Sequence, residues 1–210
     1  MHMFHFARVL CWTVPTGPFE GTRMTAIDSL IRRIDRPIAL VGLMGSGKSM
    51  LGRRLAKATR LPYADTDHLV EEMAGLSIAD IFDLAGEGKF RELEQRAISD
   101  VLSDGPAIIS TGGGAICNPD TAAILIEKSV VVWLRATPAN LLERIGSTQS
   151  RPLLAGDDPL GVLNRLTAER EQYYAQAQIH LTTDGMSTTA AFDALLHILD
   201  RNLPVKQGHA

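Results

Sequence analysis

Gly42-Leu-Met-Gly-Ser-Gly-Lys-Ser49 is the stretch that decides the fold class of this 210-residue chain. It matches GxxxxGK[ST], a pattern whose glycines let successive backbone N–H groups turn inward and form an anion-binding nest. An apolar run, Ile38–Val41, precedes it, and a good helix sequence, Ser49–Thr59, follows it. A strand, a glycine-rich turn and a helix in that order bind phosphate groups at the helix N-terminus. We therefore predict a P-loop in which Lys48 reaches the β- and γ-phosphates of a nucleotide and Ser49 binds Mg²⁺.

The P-loop by itself leaves the class of protein open. A GTPase switch, an ATPase motor and a small-molecule kinase all contain one. The chain has no NKxD-like sequence for reading guanine, and it is short for a motor. A small kinase fits its size, and the predicted ATP contacts are Gly45, Ser46, Gly47, Lys48, Ser49 and Met50.

Short apolar runs alternate with helical segments along the rest of the chain. The predicted strands are 38–41, 61–64, 107–110, 130–134 and 179–182. The predicted helices are 27–34, 49–59, 69–73, 78–84, 90–102, 140–145, 160–175 and 188–199. Apolar strands that alternate with helices predict a parallel sheet covered on both faces. We expect a three-layer α/β/α fold with a central five-stranded parallel sheet, in the P-loop NTPase or nucleoside-monophosphate-kinase-like class.

A single kinase domain is expected over residues 37–203. Within it, residues 66–95 form the predicted acceptor-binding helical region. Residues 146–159 are rich in Gly, Pro and polar side chains and are predicted to be a lid loop. Residues 204–210 are predicted to be a flexible tail.

Residues 1–36 differ from the rest of the chain. They are expected to form a flexible extension outside the core, with one short helix near its end. Any longer helix or strand would be interrupted by Pro15, Gly17, Pro18 and Gly21. We also hypothesise that translation starts at Met24.

Composition limits the classes of partner. The formal net charge of -3 does not predict a basic surface for nucleic acid. No run approaches the ~18 apolar residues of a membrane span, and the first residues lack the pattern of an export signal. Cys11 and Cys117 are far apart and lack metal-site spacing, so two free thiols are expected. These features favour a cytoplasmic protein that binds neither nucleic acid nor membrane. A monomer is expected because the sequence shows no amphipathic heptad repeat and no large apolar stripe.

Side chains suited to a small anionic acceptor follow the predicted strands. Asp65 and Asp67 come directly after the second strand, at the edge of the sheet where open α/β folds bind ligands. One of these carboxylates can face Mg²⁺ and the other an acceptor hydroxyl. Arg91 begins a later helix, and Glu94, three residues on, can hold its guanidinium in place.

Three further segments complete this set. Gly112-Gly113-Gly114 follows the third strand and lets the backbone come close to a ligand. Arg151 lies in the predicted lid loop, and Arg170 lies on the helix that follows it.

These segments together resemble the shikimate kinase family. The matching elements are GLMGSGKS at 42–49, DTD at 65–67, FRELE at 90–94, TGGGA at 111–115, RPLL at 151–154 and ERxxYY at 169–174. The resemblance spans about residues 37–200, and six motifs in the order and spacing of the family make a specific match.

For the nucleotide, the resemblance implies that Lys48 and Ser49 bind ATP and Mg²⁺. Asp65 is similar to the carboxylate that holds the metal through water. Arg151 resembles the lid arginine that closes over the phosphates, and Arg144 resembles an arginine near adenine. This chain departs from the family pattern at Met186, where the family often has Arg or Gln nearby that contributes to the adenine pocket. How adenine is held at this position is therefore left open by the resemblance.

For the acceptor, the resemblance implies that Asp67 binds the shikimate hydroxyls and accepts a proton from the reacting hydroxyl. Arg91 and Arg170 look like the pair that binds the shikimate carboxylate. The substrate-contacting backbone is the glycine triplet, Gly112, Gly113 and Gly114. The implied catalytic residues are thus Lys48, Asp67 and Arg151.

The implied activity is ATP-dependent phosphorylation of shikimate to shikimate 3-phosphate in aromatic amino acid biosynthesis. A kinase for another small molecule, such as gluconate or a nucleotide, is one alternative. A nucleotide-binding regulatory module without turnover is another, and it predicts the loss of Asp67, Lys48 or Arg151. All three residues are present.

Overall fold

A parallel sheet of five strands lies at the centre of the described residues. Its strands are β1 (Ile38–Val41), β2 (Tyr63–Asp65), β3 (Ile108–Ser110), β4 (Val130–Arg135) and β5 (Ile179–Thr182). They lie side by side in the order β2-β3-β1-β4-β5. This computed structural model describes residues 20–146, 152–154 and 156–204, and within them the predicted five-stranded parallel sheet is confirmed.

The middle strand β1 is buried on both faces. Ile38 pairs with Ile108 of β3 on one side and with Val130 of β4 on the other. Successive side chains of the strand point to opposite faces of the sheet. Leu40 therefore packs into the core on one face and Val41 into the core on the other. That double burial is the reason why the strand reads as a continuous apolar run.

Eight α-helices surround the sheet within the described residues. They are α1 (Glu20–Arg33), α2 (Lys48–Thr59), α3 (Thr66–Ala74), α4 (Ile78–Ser103), α5 (Pro119–Lys128), α6 (Pro138–Ile145), α7 (Pro159–Tyr174) and α8 (Thr188–Asn202). Helices α1, α2 and α8 cover one face, while the end of α4 and helices α5, α6 and α7 cover the other. The predicted three layers are therefore present. None of the described helices has the length and apolar character that crossing a bilayer requires.

Helix α4 contains a break at Gly86. Its φ of 77° and ψ of 174° are not helical, and this break separates the predicted segments 78–84 and 90–102. A small separate core joins the first part of α4 to α3 and includes Val70, Ile81 and Phe90. Residues 66–95 therefore pack around a core of their own beside the sheet.

Helix α1 belongs to the main core. Leu30 is fully buried and Ile34 is nearly so, in the core cluster shared with α2 and α8. The Arg33 guanidinium donates to the backbone carbonyls of Asp200 and Leu203 and pairs with the Asp200 carboxylate at the end of α8. The expectation that residues 1–36 lie outside the core is thus wrong for this helix, which is also longer than the predicted 27–34.

Helix α5 had no counterpart among the predicted elements. It begins at Pro119, after Asn118, whose side chain accepts hydrogen bonds from the N–H groups of Asp120 and Thr121. An Asn cap followed by Pro in the first turn is a start signal that the sequence analysis overlooked. Residues 1–19 and 205–210 lie outside the described residues, and the Met24 start stays a prediction.

Candidate active site

The P-loop connects β1 to α2 through residues 42–47. Gly42, Gly45 and Gly47 have positive φ angles of 141°, 80° and 93°, which only glycine adopts readily. Space matters as well, because a Cβ at Gly45 would lie 2.9 Å from the carbonyl oxygen of Leu141. The loop packs so closely against α6 that a side chain at this position has no room.

Lys48 is the first residue of α2. Its ammonium donates hydrogen bonds to the carbonyl oxygens of Gly42, at 2.8 Å, and of Leu43, at 2.9 Å. These bonds keep the positive charge beside the glycine-rich turn, and its contact with the β- and γ-phosphates stays a prediction.

A cleft of about 700 Å³ opens over the P-loop. Its walls come from the P-loop and α2, from the end of β2, from the turn after β3 and from the segment after β5. The predicted site residues on these walls are Gly45, Ser46, Gly47, Lys48, Ser49, Met50, Asp65, Asp67, Gly113 and Arg144. The strand order explains their proximity, since the carboxyl ends of β2, β3 and β1 are neighbours in the sheet.

Ser49 and Asp65 are in contact on the wall of the cleft. The Ser49 hydroxyl donates to Asp65 Oδ2 at 3.0 Å, and the Tyr63 hydroxyl donates to the same oxygen at 3.1 Å. Within the described residues, no group of three or more His, Cys, Asp or Glu side chains is arranged to hold a metal. Mg²⁺ commonly takes one or two protein oxygens and completes its shell with water and substrate phosphates, so this pair suits it.

Asp67 lies in the first turn of α3, above the P-loop. Burial raises the pKa of its carboxyl, and the negative charge of Asp65 raises it further, whereas Lys48 and Arg91 lower it. The net direction is upward, so Asp67 holds a proton more readily than an exposed aspartate does.

Arg91 is held by carboxylates on its own helix. Its Nη1 donates to Glu94 Oε2 at 2.7 Å, and its Nη2 donates to Glu87 Oε1 at 3.1 Å. Glu94 is buried, and burial raises the pKa of its carboxyl although Arg91 opposes the rise. The predicted pairing of Arg91 with Glu94 is confirmed; Glu87 was not anticipated.

The glycine triplet lies between these charged side chains. A Cβ at Gly112 would lie 2.6 Å from Asp67 Oδ1 and 2.7 Å from Glu94 Oε1. A Cβ at Gly114 would lie 2.7 Å from Arg91 Nη2. The absence of side chains is therefore what lets Asp67, Glu94 and Arg91 approach the same turn.

The carbonyl of Gly113 links this turn to α7. It accepts a hydrogen bond from Arg170 Nη1 at 3.2 Å and another from the Tyr174 hydroxyl at 2.5 Å. Arg170 is thus held against this turn, and a Cβ at Gly114 of the same turn would lie 2.7 Å from Arg91 Nη2.

Arg144 closes the far end of the cleft. Its guanidinium donates to the hydroxyl of Thr183, at 2.9 Å, and to the carbonyl of the same residue, at 2.5 Å. These bonds join α6 to the segment after β5, in which Met186 also lines the cleft.

Comparisons with known proteins show which family the chain resembles. The family whose sequence model matches the chain is described as shikimate kinase, and the match covers residues 44–200. The shikimate kinase of Caulobacter vibrioides is 43% identical over 183 residues, which are 87% of this chain and 88% of that protein. The shikimate kinase of Novosphingobium aromaticivorans is 40% identical over 179 residues, 83% of this chain and 93% of that protein.

This chain belongs to the shikimate kinase family. Members of that family are phosphotransferases, and membership implies ATP as the co-substrate. Among solved structures, the shikimate kinase of Acinetobacter baumannii in complex with shikimate superimposes with a TM-score of 0.76 and 31% identity. The match covers 84% of this chain and 99% of that chain.

One predicted catalytic residue of this shikimate kinase family member, Arg151, lies outside the described residues. The segment that follows it is a 3₁₀ turn, Pro152–Leu154. Leu154 is fully buried in the core shared with α6 and α7. The predicted lid loop is therefore anchored at one point by an apolar side chain.

Tyr63, Thr66 and Tyr174 are among the residues of the site for which the sequence predicted no role. Tyr63 lies two residues before Asp65 on β2, and the period of two along a strand is the signal that would have paired them. Thr66 lies within the DTD motif, and its hydroxyl accepts a hydrogen bond from Gly112 N at 3.0 Å. Tyr174 lies within the quoted ERxxYY motif, but its contact with Gly113 depends on the packing of α7.

Proposed function

We propose that this protein transfers the γ-phosphoryl group of ATP to a ring hydroxyl of shikimate, forming shikimate 3-phosphate for aromatic amino acid biosynthesis. The observation that carries this proposal is the close approach of four elements at one edge of the sheet: the P-loop, Asp67, the glycine turn and two arginines from different helices.

The nucleotide end of the proposed site uses the P-loop. Backbone N–H groups of residues 45–50 bind the phosphates, Lys48 neutralises the charge that moves during transfer, and Arg144 lies beside the adenine. Ser49 and Asp65 would hold Mg²⁺, Asp65 through a water molecule. When bound, the metal neutralises charge on the phosphate oxygens.

The acceptor end uses charge and backbone. Two guanidinium groups, of Arg91 and Arg170, pair with the shikimate carboxylate, because their planar forks match its geometry. Asp67 accepts hydrogen bonds from neighbouring ring hydroxyls, while Gly112, Gly113 and Gly114 let the ring approach the backbone. A raised pKa suits Asp67 to accept the proton that the reacting hydroxyl loses.

Phosphoryl transfer requires alignment more than covalent chemistry from the protein. The proposed kinase domain spans residues 37–203, with residues 66–95 carrying the acceptor and residues 146–159 acting as a lid. Closure of this lid brings Arg151 over the phosphates and excludes water, which would otherwise hydrolyse ATP. We propose that the enzyme acts as a cytoplasmic monomer.

The proposal is tested by measuring ADP formation from Mg·ATP with shikimate, quinate, gluconate and nucleoside monophosphates offered separately. We expect turnover with shikimate alone. Turnover with gluconate or a nucleotide, but not with shikimate, would assign the acceptor end to a different substrate. Nucleotide binding without turnover on any acceptor would favour a regulatory module.

A further inference from the structure

Tyr174 is the last residue of α7, and its ring is fixed by the central sheet. The side chain is 2% exposed. Its ring stacks on Trp133 of β4, with centroids 5.6 Å apart and planes at 21°. Trp133 is itself packed edge-on by the ring of His180 of β5, with centroids 5.1 Å apart. The position of the Tyr174 hydroxyl is therefore set by two strands of the sheet.

The Tyr174 hydroxyl donates to the carbonyl of Gly113, which does not accept its hydrogen bonds from within the glycine turn. Within the turn, Gly112 O accepts from Ala115 N at 3.2 Å, and Gly114 O accepts from Cys117 N at 3.0 Å. Gly113 O instead faces α7, where it accepts from the Tyr174 hydroxyl at 2.5 Å and from Arg170 Nη1 at 3.2 Å. Tyrosine supplies the shorter of the two bonds.

Arg170 and Tyr174 are four residues apart on α7, so they lie on the same face of the helix. A guanidinium has five N–H donors, and only Nη1 of Arg170 bonds to Gly113. Tyr174 and Arg170 both donate to this one carbonyl, so the position of Gly113 O is coupled to the positions of both side chains. Burial raises the pKa of the Tyr174 phenol, and Arg170 offsets part of that rise, so the group stays protonated and able to donate.

We propose that Tyr174 is a positioning residue for the acceptor: its hydroxyl fixes the Gly113 carbonyl, and thereby the orientation of the glycine turn and of Arg170. Tyr174 itself does not touch the acceptor. This inference rests on the proposed function, because it assigns Tyr174 to the acceptor end of that site.

The test compares Tyr174→Phe with Tyr173→Phe. Phenylalanine keeps the stacked ring and removes only the hydroxyl. Tyr173 is the half-buried neighbour on the same helix, and the hydroxyl that reaches Gly113 belongs to Tyr174. We expect Tyr174→Phe to raise the KM for shikimate about tenfold, the effect of one lost hydrogen bond, with the KM for ATP unchanged. Tyr173→Phe should leave both values close to those of the unmodified protein.

A second measurement does not depend on turnover. Hydrogen exchange of the amides of residues 112–117 should be faster in Tyr174→Phe than in Tyr173→Phe. A shikimate KM that stays unchanged in folded Tyr174→Phe, or a parallel rise in both KM values, would overturn the inference. If Tyr174→Phe does not fold, Trp133→Phe takes its place, because it keeps the Tyr174 hydroxyl and weakens the stacking of the Tyr174 ring. The inference then stands only if Trp133→Phe raises the KM for shikimate and leaves the KM for ATP unchanged.

The two proposals fail in different ways. If the unmodified protein does not turn over shikimate, the proposed function fails. If it does, and Tyr174→Phe behaves like Tyr173→Phe in both measurements, the role of Tyr174 alone fails.

Discussion

At the scale of single residues, the charge of Lys48 is the feature on which the proposed phosphoryl transfer depends most. Its ammonium lies against the P-loop carbonyls, in a cleft where a cation stabilises developing charge more strongly than in water. Lys48→Ala should lower kcat about 100- to 1,000-fold, measured as ADP formation with saturating shikimate.

The matched control for this change is Lys57→Ala. Lys57 is an exposed lysine on the same helix, α2, and its removal alters the net charge equally. Near-normal turnover in Lys48→Ala, or an equal loss in Lys57→Ala, would contradict the role of Lys48 at the phosphates.

Gly112 is the glycine of the triplet at which a side chain would collide with carboxylates; a Cβ at Gly114 would instead meet the Arg91 guanidinium. An added methyl group there would meet two carboxylates, of Asp67 and Glu94, at 2.6 Å and 2.7 Å. Asp67 would have to move, and a displacement near 1 Å at a reacting group can cost about 100-fold in rate. We expect Gly112→Ala to lose about that factor in kcat, measured with both substrates saturating.

Gly88→Ala is the control for the glycine change. Gly88 lies on an exposed part of α4, and a Cβ there meets nothing within 4 Å. If Gly112→Ala retains full activity, the close approach of Asp67 to the turn does not matter for the reaction.

At the scale of elements, α1 is the helix for which the structure differs most from the sequence prediction, because it packs into the main core. Leu30 is fully buried against α2 and α8, whereas its neighbour Ile31 is 43% exposed. Leu30→Ala leaves a cavity in the main core and should reduce the free energy of unfolding by about 2–4 kcal/mol. Ile31→Ala, its control, should cost less than about 1 kcal/mol.

Urea denaturation followed by circular dichroism measures both changes. Equal effects for the two variants would mean that α1 does not pack as described. A large effect for Leu30→Ala would show that residues preceding β1 stabilise the fold, although the family match begins only at residue 44.

Element boundaries show where local patterns suffice. Ile38–Val41 was predicted at its observed bounds, because burial on both faces produces an uninterrupted apolar run. Helix α5 was overlooked, since its Asn118 cap and Pro119 were not used as a start signal. The break in α4 was anticipated as two helices, and Gly86 with its positive φ is the residue that causes it.

At the scale of the whole molecule, the cleft joins parts of the chain that are far apart in sequence, so ligands that fill it should stabilise the fold. A ligand at 100 times its Kd adds about 2.7 kcal/mol, which corresponds to a Tm increase of about 5–10 °C for a domain of this size. Mg·ADP should produce such a shift in a thermal melt, and EDTA should remove part of it.

Shikimate provides the contrast in the same experiment. Lys48→Ala should lose most of the shift with Mg·ADP and keep the shift with shikimate, because in the proposed site Lys48 binds the nucleotide whereas Arg91 and Arg170 bind the acceptor. Loss of both shifts would mean that the variant is damaged as a whole, and an EDTA-insensitive shift would contradict a metal at Ser49 and Asp65.

The sequence by itself determined the glycine-rich turn after β1 and the parallel α/β class, and it predicted most of the charged residues of the candidate site. Those features follow from local rules: glycines at positions of positive φ, apolar runs of strand length, and polar side chains directly after strands. The Arg91–Glu94 pair also follows from local spacing, because both residues lie on one helix.

The tertiary structure alone decided which distant residues meet. The order β2-β3-β1-β4-β5 brings Asp67 beside Gly112 and sets Tyr174 against Gly113. It also decided that α1 enters the core. The physical reason is that a strand or helix carries its own periodicity in its residues, whereas the neighbours of each element depend on how all the apolar faces are buried together.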